Sequence, residues 1–249
     1  MIEVHNLTFG YSSTEDGQIL KGVDFAAKNG KLTALIGTNG AGKSTLLKTI
    51  MGILKGKGDI TINGKSVAEY STKDFSSTVS YLSQDNDCRV NLTVFEVVML
   101  GRMGSMSFRV SDEDIAATQE VLERLNLQRF ASRSIMELSG GQRQLVFMAQ
   151  ALVKEPKILI LDEPTSALDL HKQFDLLTLL KNLTQENDFT TLVTLHHLDL
   201  AAMFADEIIV LKEGRVYAQG APKDIFTEAM MEDVYRVKTK IYMDDKGMP

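Results

Sequence analysis

The sequence has very little cysteine and lacks any long run of apolar residues. Its single cysteine, Cys88, cannot form an internal disulfide, and this favours a reducing compartment. No window approaches the ~18 consecutive apolar residues that a membrane-spanning helix needs. The first residues also lack the basic start and apolar stretch of a signal peptide. We therefore expect a soluble cytoplasmic chain that reaches any role at a membrane through a partner protein.

Basic residues are outnumbered as well. The chain carries 27 Lys and Arg against 33 Asp and Glu, which gives a formal net charge of -6. Proteins that neutralise many phosphates of a nucleic acid normally carry a basic stripe, so this balance argues against a nucleic-acid partner. It leaves room for a small basic pocket that binds one nucleotide. The length of 249 residues suits one large domain, or one domain with a sub-lobe.

Short apolar runs alternate with helical patterns in the two outer parts of the chain. Residues 32–36 read as a buried strand that runs into a glycine cluster, and residues 44–54 follow with helical spacing. Such alternation predicts a parallel sheet covered by helices. After residue 139 the predicted elements are a helix at 141–153, a strand at 158–161, a helix at 170–185, a strand at 191–195, a helix at 198–204 and a strand at 207–211.

Two other regions depart from this alternation. Residues 2–9 and 58–63 alternate apolar and polar side chains, which predicts antiparallel strands, and Asn63-Gly64 is a hairpin turn signal. Between residues 87 and 137 the pattern is helical, with helices predicted at 94–100 and 112–125. We therefore expect a single domain with an α/β core at 1–86 and 139–249 and an inserted helical subdomain at 87–138.

A glycine-rich segment carries the clearest chemistry. Residues 37–44, GTNGAGKS, fit the phosphate-loop pattern G-x-x-x-x-G-K-[ST]. Its glycines let backbone N–H groups curl around phosphates, and the following helix points its positive end at the same anions. Lys43 supplies a point charge for the outer phosphates, and the Ser44 hydroxyl is a magnesium ligand. A preceding strand and a following helix favour this reading over an empty glycine turn.

Two carboxylates follow the apolar strand at 158–161. Asp162 and Glu163 stand at its C-terminal end, where ligands of open α/β sheets bind. Asp162 is suited to hold magnesium, and Glu163 is suited to polarise the attacking water as general base. On their own, these two residues would indicate an exposed acidic turn after a core strand. Because a phosphate loop is also present, we expect them to complete its nucleotide site.

A second phosphate-ready loop lies at residues 138–142, LSGGQ. Ser139 is placed to cap the next helix, and Gly140 and Gly141 allow backbone to approach a phosphate closely. As a bare pattern this is a common helix start. One nucleotide site hardly needs two such loops, however, so the second loop is expected to serve the nucleotide of another copy.

Together these motifs resemble those of ATP-binding cassette (ABC) proteins. The phosphate loop, LSGGQ, ILILDEP at 158–164, the turn at 166–169 and the histidine His196 occur in the family's order and spacing, and the resemblance covers residues 2 to about 225. It implies an α/β fold of the ABC type of P-loop NTPase, with a mixed sheet core and an antiparallel N-terminal sheet. It also implies an ATPase that uses ATP and Mg²⁺ and pairs head to tail with a second copy.

The resemblance assigns further roles residue by residue. Tyr11 would stack on adenine, Gln84 would contact magnesium and the attacking water, and His196 would reach the γ-phosphate. Asp169 would lie at the interface between the copies. With Lys43 and Glu163, Gln84 and His196 form the implied catalytic set. The implied nucleotide contacts are Tyr11, Gly37, Thr38, Asn39, Gly40, Ala41, Gly42, Lys43, Ser44, Thr45, Ser139, Gly140, Gly141 and Gln142, and the implied magnesium ligands are Ser44, Gln84 and Asp162.

Three positions depart from the family pattern. Thr38 and Ser83 stand where proline is usual, and His197 stands where most relatives have aspartate, which leaves open which imidazole acts, although register favours His196. Thr38 should not impair binding, since its side chain points away from the phosphates.

Subfamily features are similar to importer ATPases for iron–siderophore complexes, haem and vitamin B12. The similar segments are residues 92–102, 140–152 and 214–227. This implies membrane permease partners, a substrate-binding protein further out, and a place on the cytoplasmic face of the membrane. A coupling helix of the permease would enter a groove near Gln84 and residues 94–108, where Met99, Met103 and Met106 offer adaptable contacts or simply form core.

Other classes remain as alternatives. An ABC exporter often carries membrane spans in the same chain, a DNA-repair ABC ATPase carries a long coiled coil before LSGGQ, and a translation ATPase carries two cassettes. The sequence shows none of these features. A binding module without turnover would not need Glu163 and His196.

Overall fold

Ten β-strands provide the framework of the part of the chain that the structure describes. The computed structural model describes residues 1–12, 17–84, 91–103 and 110–244, and the predictions for Cys88 and Met106 fall outside these ranges. In chain order the strands are β1 (Ile2–Gly10), β2 (Gln18–Ala27), β3 (Lys31–Ile36), β4 (Lys57–Ile62), β5 (Lys65–Ser66), β6 (Val79–Leu82), β7 (Ile158–Leu161), β8 (Thr190–Thr194), β9 (Glu207–Lys212) and β10 (Arg215–Gly220).

The strands form two sheets. The larger has the order β10-β9-β3-β8-β7-β6, and all its pairs are parallel except β10 with β9. The smaller is antiparallel with the order β2-β1-β4-β5. The C-terminal ends of β3, β6, β7 and β8 therefore meet at one edge of the larger sheet, where open α/β sheets bind ligands.

Both faces of the larger sheet are buried. Along β3, Ala34 and Ile36 pack into a core formed with the helices, whereas Leu35 packs into a second core between the two sheets. The neighbouring strands divide in the same way, since side chains alternate across a strand. Burial on two sides explains why these strands read as continuous apolar runs in the sequence.

Nine α-helices surround the sheets within the described residues. No helix there is long and apolar enough to cross a membrane. In chain order the helices are α1 (Lys43–Ile50), α2 (Thr72–Thr78), α3 (Val94–Met99), α4 (Asp112–Arg124), α5 (Gly140–Leu152), α6 (Leu170–Glu186), α7 (Leu198–Phe204), α8 (Pro222–Ile225) and α9 (Glu228–Tyr235).

The helices between β6 and β7 begin at capping boxes. In α5 the Ser139 hydroxyl accepts the Gln142 N–H while the Gln142 side chain accepts the Ser139 N–H, and α3 and α4 begin with the same reciprocal arrangement. Each box satisfies two otherwise unpaired donors of the first helical turn. The sequence pattern Ser or Thr followed three residues later by Glu, Asp or Gln thus fixes where these helices begin.

A charged pair ties α4 to the end of α5. Arg102 Nε donates to Asp114 Oδ1 at 2.6 Å, and Arg102 Nη1 donates to the carbonyl of Val153 at 3.0 Å. The Asp114 side chain is 9% exposed. Hydrogen bonds from Arg102 and then Ser111 lower the pKa of Asp114 to about 2.

Most predicted elements match the observed ones to within a few residues. The Asn63-Gly64 turn joins β4 to β5, and both residues have positive φ, 51° and 76°, as a two-residue hairpin of this type requires. The sequence did not indicate β2, β6, α2, α8, α9 or the antiparallel β10.

Candidate nucleotide-binding site

The phosphate loop begins where β3 ends, and its backbone requires glycine. Gly37 has φ 148°, and a Cβ there would lie 2.2 Å from the carbonyl oxygen of Leu211 in β9. Gly42 has φ 104°, and a Cβ there would lie 3.2 Å from the side chains of Ile19 and Leu20 in β2. The loop is therefore pressed between the two sheets, and a larger residue at Gly37 would push it out.

The middle of the loop faces outward. Gly40 has φ 79°, no atom lies within 4 Å of the position its Cβ would take, and it is exposed like Asn39. Ala41 is buried, and its carbonyl accepts a hydrogen bond from Gly214 N–H at 3.1 Å. The loop is thus attached on one side and open on the other, which leaves backbone N–H groups available to an anion.

Lys43, at the first position of α1, lies inside the curl of the loop. Its Nζ donates to the carbonyl oxygens of Gly37 at 2.8 Å and Thr38 at 3.2 Å, and the residue is 7% exposed. Burial lowers the pKa of Lys43, while the nearby carboxylates of Glu163 and Asp162 raise it. The ammonium is therefore held inside the site by neighbouring oxygens rather than by water.

The two carboxylates stand at the end of β7, and a single hydroxyl organises both. Thr194 Oγ1 donates to Asp162 Oδ1 at 2.8 Å and accepts the backbone N–H of Glu163 at 2.7 Å. Asp162 is 1% exposed. Glu163 has φ 52°, a region that non-glycine residues seldom occupy and that is often found at functional sites. Here it turns the chain sharply at the strand end.

The Glu163 carboxylate lies between two other predicted site residues. Gln84 Nε2 donates to Glu163 Oε2 at 2.8 Å, and His196 Nε2 lies 2.5 Å from Glu163 Oε1. Gln84 follows β6 and His196 follows β8, so three neighbouring strands deliver the three side chains to one place. His197, next to His196, is exposed at the start of α7.

These residues line one cleft of about 550 Å³. It is open to solvent on one side, and its size suits a small-molecule ligand. Asp162 is buried and does not line the cleft, and neither do Gly37, Thr38 and Ala41 of the phosphate loop. The lining residues are Ile19, Asn39, Gly40, Gly42, Lys43, Ser44, Thr45, Gln84, Glu163 and His196.

Two further parts of the predicted site, Tyr11 and the LSGGQ loop, are also not among the lining residues. Tyr11 follows β1, is 67% exposed, and packs edge-on against Phe9 with ring centroids 5.0 Å apart. The LSGGQ loop stands at the start of α5, with Ser139 and Gly140 exposed. Gly141 packs against the predicted turn at 166–169, because a Cβ there would lie 2.9 Å from the carbonyl oxygen of Ala167.

The sequence analysis missed two members of the site. Ile19 lines the cleft from β2, a strand that the sequence did not indicate. Thr194 holds both carboxylates, and a signal for it was available, because it is a polar residue at the C-terminal end of a predicted parallel strand. Its neighbours along β8 carry no such signal.

Comparison with known proteins places the chain in a large group. The ABC transporter family matches residues 20–166. The iron(3+)-hydroxamate import ATP-binding protein FhuC of Bacillus subtilis (strain 168) is 37% identical over 248 residues, covering 98% of this chain and 91% of that protein.

Solved structures agree. A putative metal-chelate type ABC transporter in an inward-facing conformation superposes with a TM-score of 0.81 at 29% identity, covering 95% of this chain and 89% of that one. A dimeric ATP-binding cassette in a post-hydrolysis state, bound to ADP and Pi, gives 0.80 at 30% identity, covering 89% and 98%. The chain therefore belongs to the ABC transporter family, as one of its ATP-binding, ATP-hydrolysing subunits.

Proposed function

We propose that this ABC ATPase powers the import of a metal chelate, such as an iron–siderophore complex, haem or cobalamin, through a separate permease. The observation that supports catalysis best is the position of Glu163. Its carboxylate is held 2.8 Å from Gln84 Nε2 and 2.5 Å from His196 Nε2, at the cleft that Lys43 and Ser44 also line. The import direction and the cargo class rest on the relatives, one named for iron(3+)-hydroxamate import and one described as of metal-chelate type.

The residues suggest a specific division of the chemistry. Glu163 accepts a proton from water as the water oxygen attacks the γ-phosphorus, and the bond to the bridging oxygen of ADP breaks. His196 orients Glu163 and the water. Lys43 and the N–H groups of the phosphate loop offset the negative charge of the phosphates, and such fixed electrostatic stabilisation is usually the largest contribution to the rate.

The site also suits a magnesium ion. Ser44, Gln84 and Asp162 offer hydroxyl, amide and carboxylate oxygens, the donor types that Mg²⁺ prefers. Thr194 fixes the buried Asp162 carboxylate, and Gln84 uses its amide nitrogen toward Glu163, so the amide oxygen is the end left for a cation. Mg²⁺ bound there neutralises phosphate charge.

A second copy completes the site in this proposal. Ser139, Gly140, Gly141 and Gln142 do not line the cleft of their own chain, and Ser139 and Gly140 are exposed. In a head-to-tail pair related by a two-fold axis, this loop of each copy faces the γ-phosphate bound to the other. Asp169, exposed at the start of α6, lies beside it through the Gly141–Ala167 contact. The dimeric cassette bound to ADP and Pi supports such an arrangement.

A cavity of about 370 Å³ supports the contact with a permease. It lies between α2, β6 and α5, next to Gln84, and its lining mixes apolar and polar groups, among them Leu100, Phe147 and Lys154. We assign it to a coupling helix of the permease, with residues 87–138 acting as the helical subdomain of a single ABC ATPase domain. The chain then works on the cytoplasmic face of the membrane, and a substrate-binding protein delivers the chelate to the other side. Met99 and Met103 do not line this cavity.

Co-purification and uptake test the proposal together. The tagged chain is purified from membranes in mild detergent, and the membrane protein that co-purifies with it is identified. The complex is then reconstituted into vesicles, with ATP on the side that carries the ATPase. We expect a permease of metal-chelate type and ATP-dependent uptake of a ⁵⁵Fe-labelled chelate. The Glu163→Gln variant should assemble and bind ATP without driving uptake. An efflux permease, or movement in the opposite direction, would overturn the importer assignment and leave the ATPase assignment standing.

A further inference from the structure

A buried glutamine of α6 holds the segment that follows the proposed general base. Residues 164–168 connect Glu163 to the start of α6. Gln173 is 7% exposed, and its Nε2 donates to the carbonyl oxygen of Thr165 at 3.1 Å and to that of Leu168 at 3.0 Å. One side chain therefore ties together two carbonyls that lie three residues apart in this segment.

The other end of this side chain indicates why glutamine stands here. In the part of the chain that the structure describes, the Gln173 Oε1 atom is buried and accepts no hydrogen bond. A buried acceptor without a partner destabilises the folded state, and an apolar side chain of similar length would avoid that penalty. The contribution of Gln173 therefore lies in its two donated hydrogen bonds, which fix the shape of the segment.

The same segment is bonded directly to Glu163. The N–H and the hydroxyl of Ser166 both donate to the Glu163 carbonyl oxygen, at 3.3 Å and 3.0 Å. The Leu168 N–H donates to the Thr165 carbonyl oxygen at 3.1 Å. Glu163 has φ 52°, a backbone conformation that persists in a non-glycine residue only when its surroundings fix it. Gln173 thus helps to fix the backbone from which the Glu163 carboxylate projects.

A second buried glutamine, Gln144 of α5, contacts this segment as well. Its Nε2 donates to the carbonyl oxygen of Pro164 at 3.3 Å, and the residue is 6% exposed. Gly141, in the first turn of the same helix, packs against the Ala167 carbonyl. Two helices therefore hold the segment, and the two shorter of these side-chain hydrogen bonds come from Gln173.

We propose that Gln173 is a positioning residue for ATP hydrolysis. By fixing residues 164–168, it keeps Glu163 in the conformation that presents the carboxylate to the attacking water. Its two hydrogen bonds go to this segment and not to the phosphate loop, so the affinity for ATP should not depend on them. The inference rests on the proposed role of Glu163 as general base.

The test compares two variants of the full chain that each lose a buried hydrogen-bonding group from α6. Gln173→Met removes both donated bonds and keeps the length of the side chain. Thr184→Val removes a hydroxyl that donates to the Leu180 carbonyl at 2.6 Å in the same helix, so both variants should lose some stability. We expect Gln173→Met to lower kcat about tenfold, because a misplacement of about 1 Å can cost about a hundredfold in rate.

The affinity for a non-hydrolysable ATP analogue separates positioning from binding. Its Kd should be unchanged in Gln173→Met, and Thr184→Val should change neither kcat nor Kd. A parental kcat in Gln173→Met, an equal fall of kcat in Thr184→Val, or a higher Kd with unchanged kcat would overturn the proposal.

Combination with Glu163→Gln shows whether Gln173 acts through the base. When the base is already absent, adding Gln173→Met should lower the residual hydrolysis little further, because two residues that act through one group are not additive. A further fall of about tenfold would mean that Gln173 acts independently of Glu163, and would contradict the proposal.

Amide hydrogen exchange gives a readout that does not depend on activity. The peptide that covers residues 163–169 should exchange faster in Gln173→Met and at the parental rate in Thr184→Val, and parental exchange in both would count against the proposal. If Gln173→Met does not fold, Gln144→Met removes the single bond to Pro164 and should give smaller changes of the same kind.

The failure of this inference is distinct from the failure of the proposed function. A Glu163→Gln variant that hydrolyses ATP like the parent would contradict the proposed function. An inactive Glu163→Gln variant beside a fully active Gln173→Met variant would contradict this inference alone.

Discussion

The phosphate loop at 37–45 and the LSGGQ loop at 138–142 are both glycine-rich helix starts, yet their surroundings differ. In the first, Lys43 is 7% exposed and bonds to the loop's own carbonyls, and a Cβ at Gly37 would lie 2.2 Å from Leu211. In the second, Gly140 is exposed and has no atom within 4 Å of a Cβ position. The phosphate loop holds its lysine inside and is open at its middle, whereas the LSGGQ loop packs through Gly141 and exposes its first residues.

The two loops also differ in which predicted catalytic side chains surround them. Around the phosphate loop, three strand ends supply Gln84, Glu163 and His196 from the same chain. Around the LSGGQ loop, Ser139 and Gln142 satisfy each other, whereas Gln84, Glu163 and His196 lie at the cleft of the phosphate loop. We therefore propose that each ATP site has two halves, one supplied by each copy of the chain. Variants of single residues test which half each residue serves.

The largest effect is expected from Glu163→Gln, which removes the proposed general base from both sites of a pair. Loss of a general base costs a factor of about 100 to 10,000 in rate. ATP binding should persist, because the amide keeps the shape of the side chain and the phosphate loop is untouched. Phosphate release and equilibrium ATP binding measured on the same preparation check this. Near-parental hydrolysis would show that another group acts as the base.

A smaller but more specific effect is expected from Gly140→Asp. The substituent meets no atom of its own chain, and a carboxylate is tolerated at a helix N-terminus, so the variant should fold and bind ATP normally. It would face the phosphates of the other copy, and we expect hydrolysis to fall about a hundredfold, as when an oxyanion contact is lost. Gly141→Asp is the contrasting variant, because its Cβ would lie 2.9 Å from the Ala167 carbonyl and the fold should suffer. Urea midpoints and phosphate release separate the two outcomes, and normal hydrolysis by Gly140→Asp would contradict the role of this loop.

Thr194→Val tests the half of the ATP site that one chain forms alone, around its own phosphate loop. The hydroxyl serves Asp162 and Glu163 at once, and its loss leaves the part-buried N–H of Glu163 unpaired and removes a donor from the Asp162 carboxylate. Because both carboxylates are then held less firmly, we expect kcat to fall by about tenfold. Thr191→Val is the matched control. It lies in the same strand, is fully buried, and loses a hydroxyl that bonds to Thr184 at 2.6 Å, away from the site. Equal kcat values in the two variants would contradict the claim that Thr194 positions Asp162 and Glu163 for hydrolysis.

The smallest effect on activity is expected from Asp114→Asn. This variant removes the ion pair with Arg102, which also bonds to the Val153 carbonyl at the end of α5. The folded pKa of Asp114 is about 2, below its unfolded value, so its ion pair stabilises the fold above the unfolded pKa and is lost as pH falls through about 2. The parent should therefore unfold at higher urea than Asp114→Asn near pH 6, and the gap should narrow below about pH 4.

Asp112→Asn, in the same helical turn, provides the control for loss of one negative charge. Its urea midpoint should stay close to that of the parent, unlike the midpoint of Asp114→Asn. A gap that stays constant from pH 6 to about pH 3 would contradict the assigned ion pair.

Much of the fold follows from local pattern, and the exceptions have physical causes. Strands such as β7 are apolar runs with clear ends, because both faces are buried. In contrast, β2 pairs with β1 through several register shifts, so its side chains do not alternate regularly. With only four residues, β6 is too short to show a period.

The site was predictable where one motif supplies the chemistry, and less so where distant segments meet. Lys43 begins the helix after the phosphate loop, Glu163 and His196 follow the ends of β7 and β8, and the structure gathers all three around one cleft. The link between Gly141 and Ala167 joins segments that share no local pattern, so no sequence period marks it.

Mixing two inactive variants tests the shared site most directly. Lys43→Ala disables the phosphate loop and keeps a normal LSGGQ loop, whereas Gly140→Asp does the reverse. In an equal mixture, half of the randomly formed pairs contain one of each and one intact composite site, so we predict roughly a quarter of the parental hydrolysis. Hydrolysis that stays at the average of the two separate variants would contradict the account.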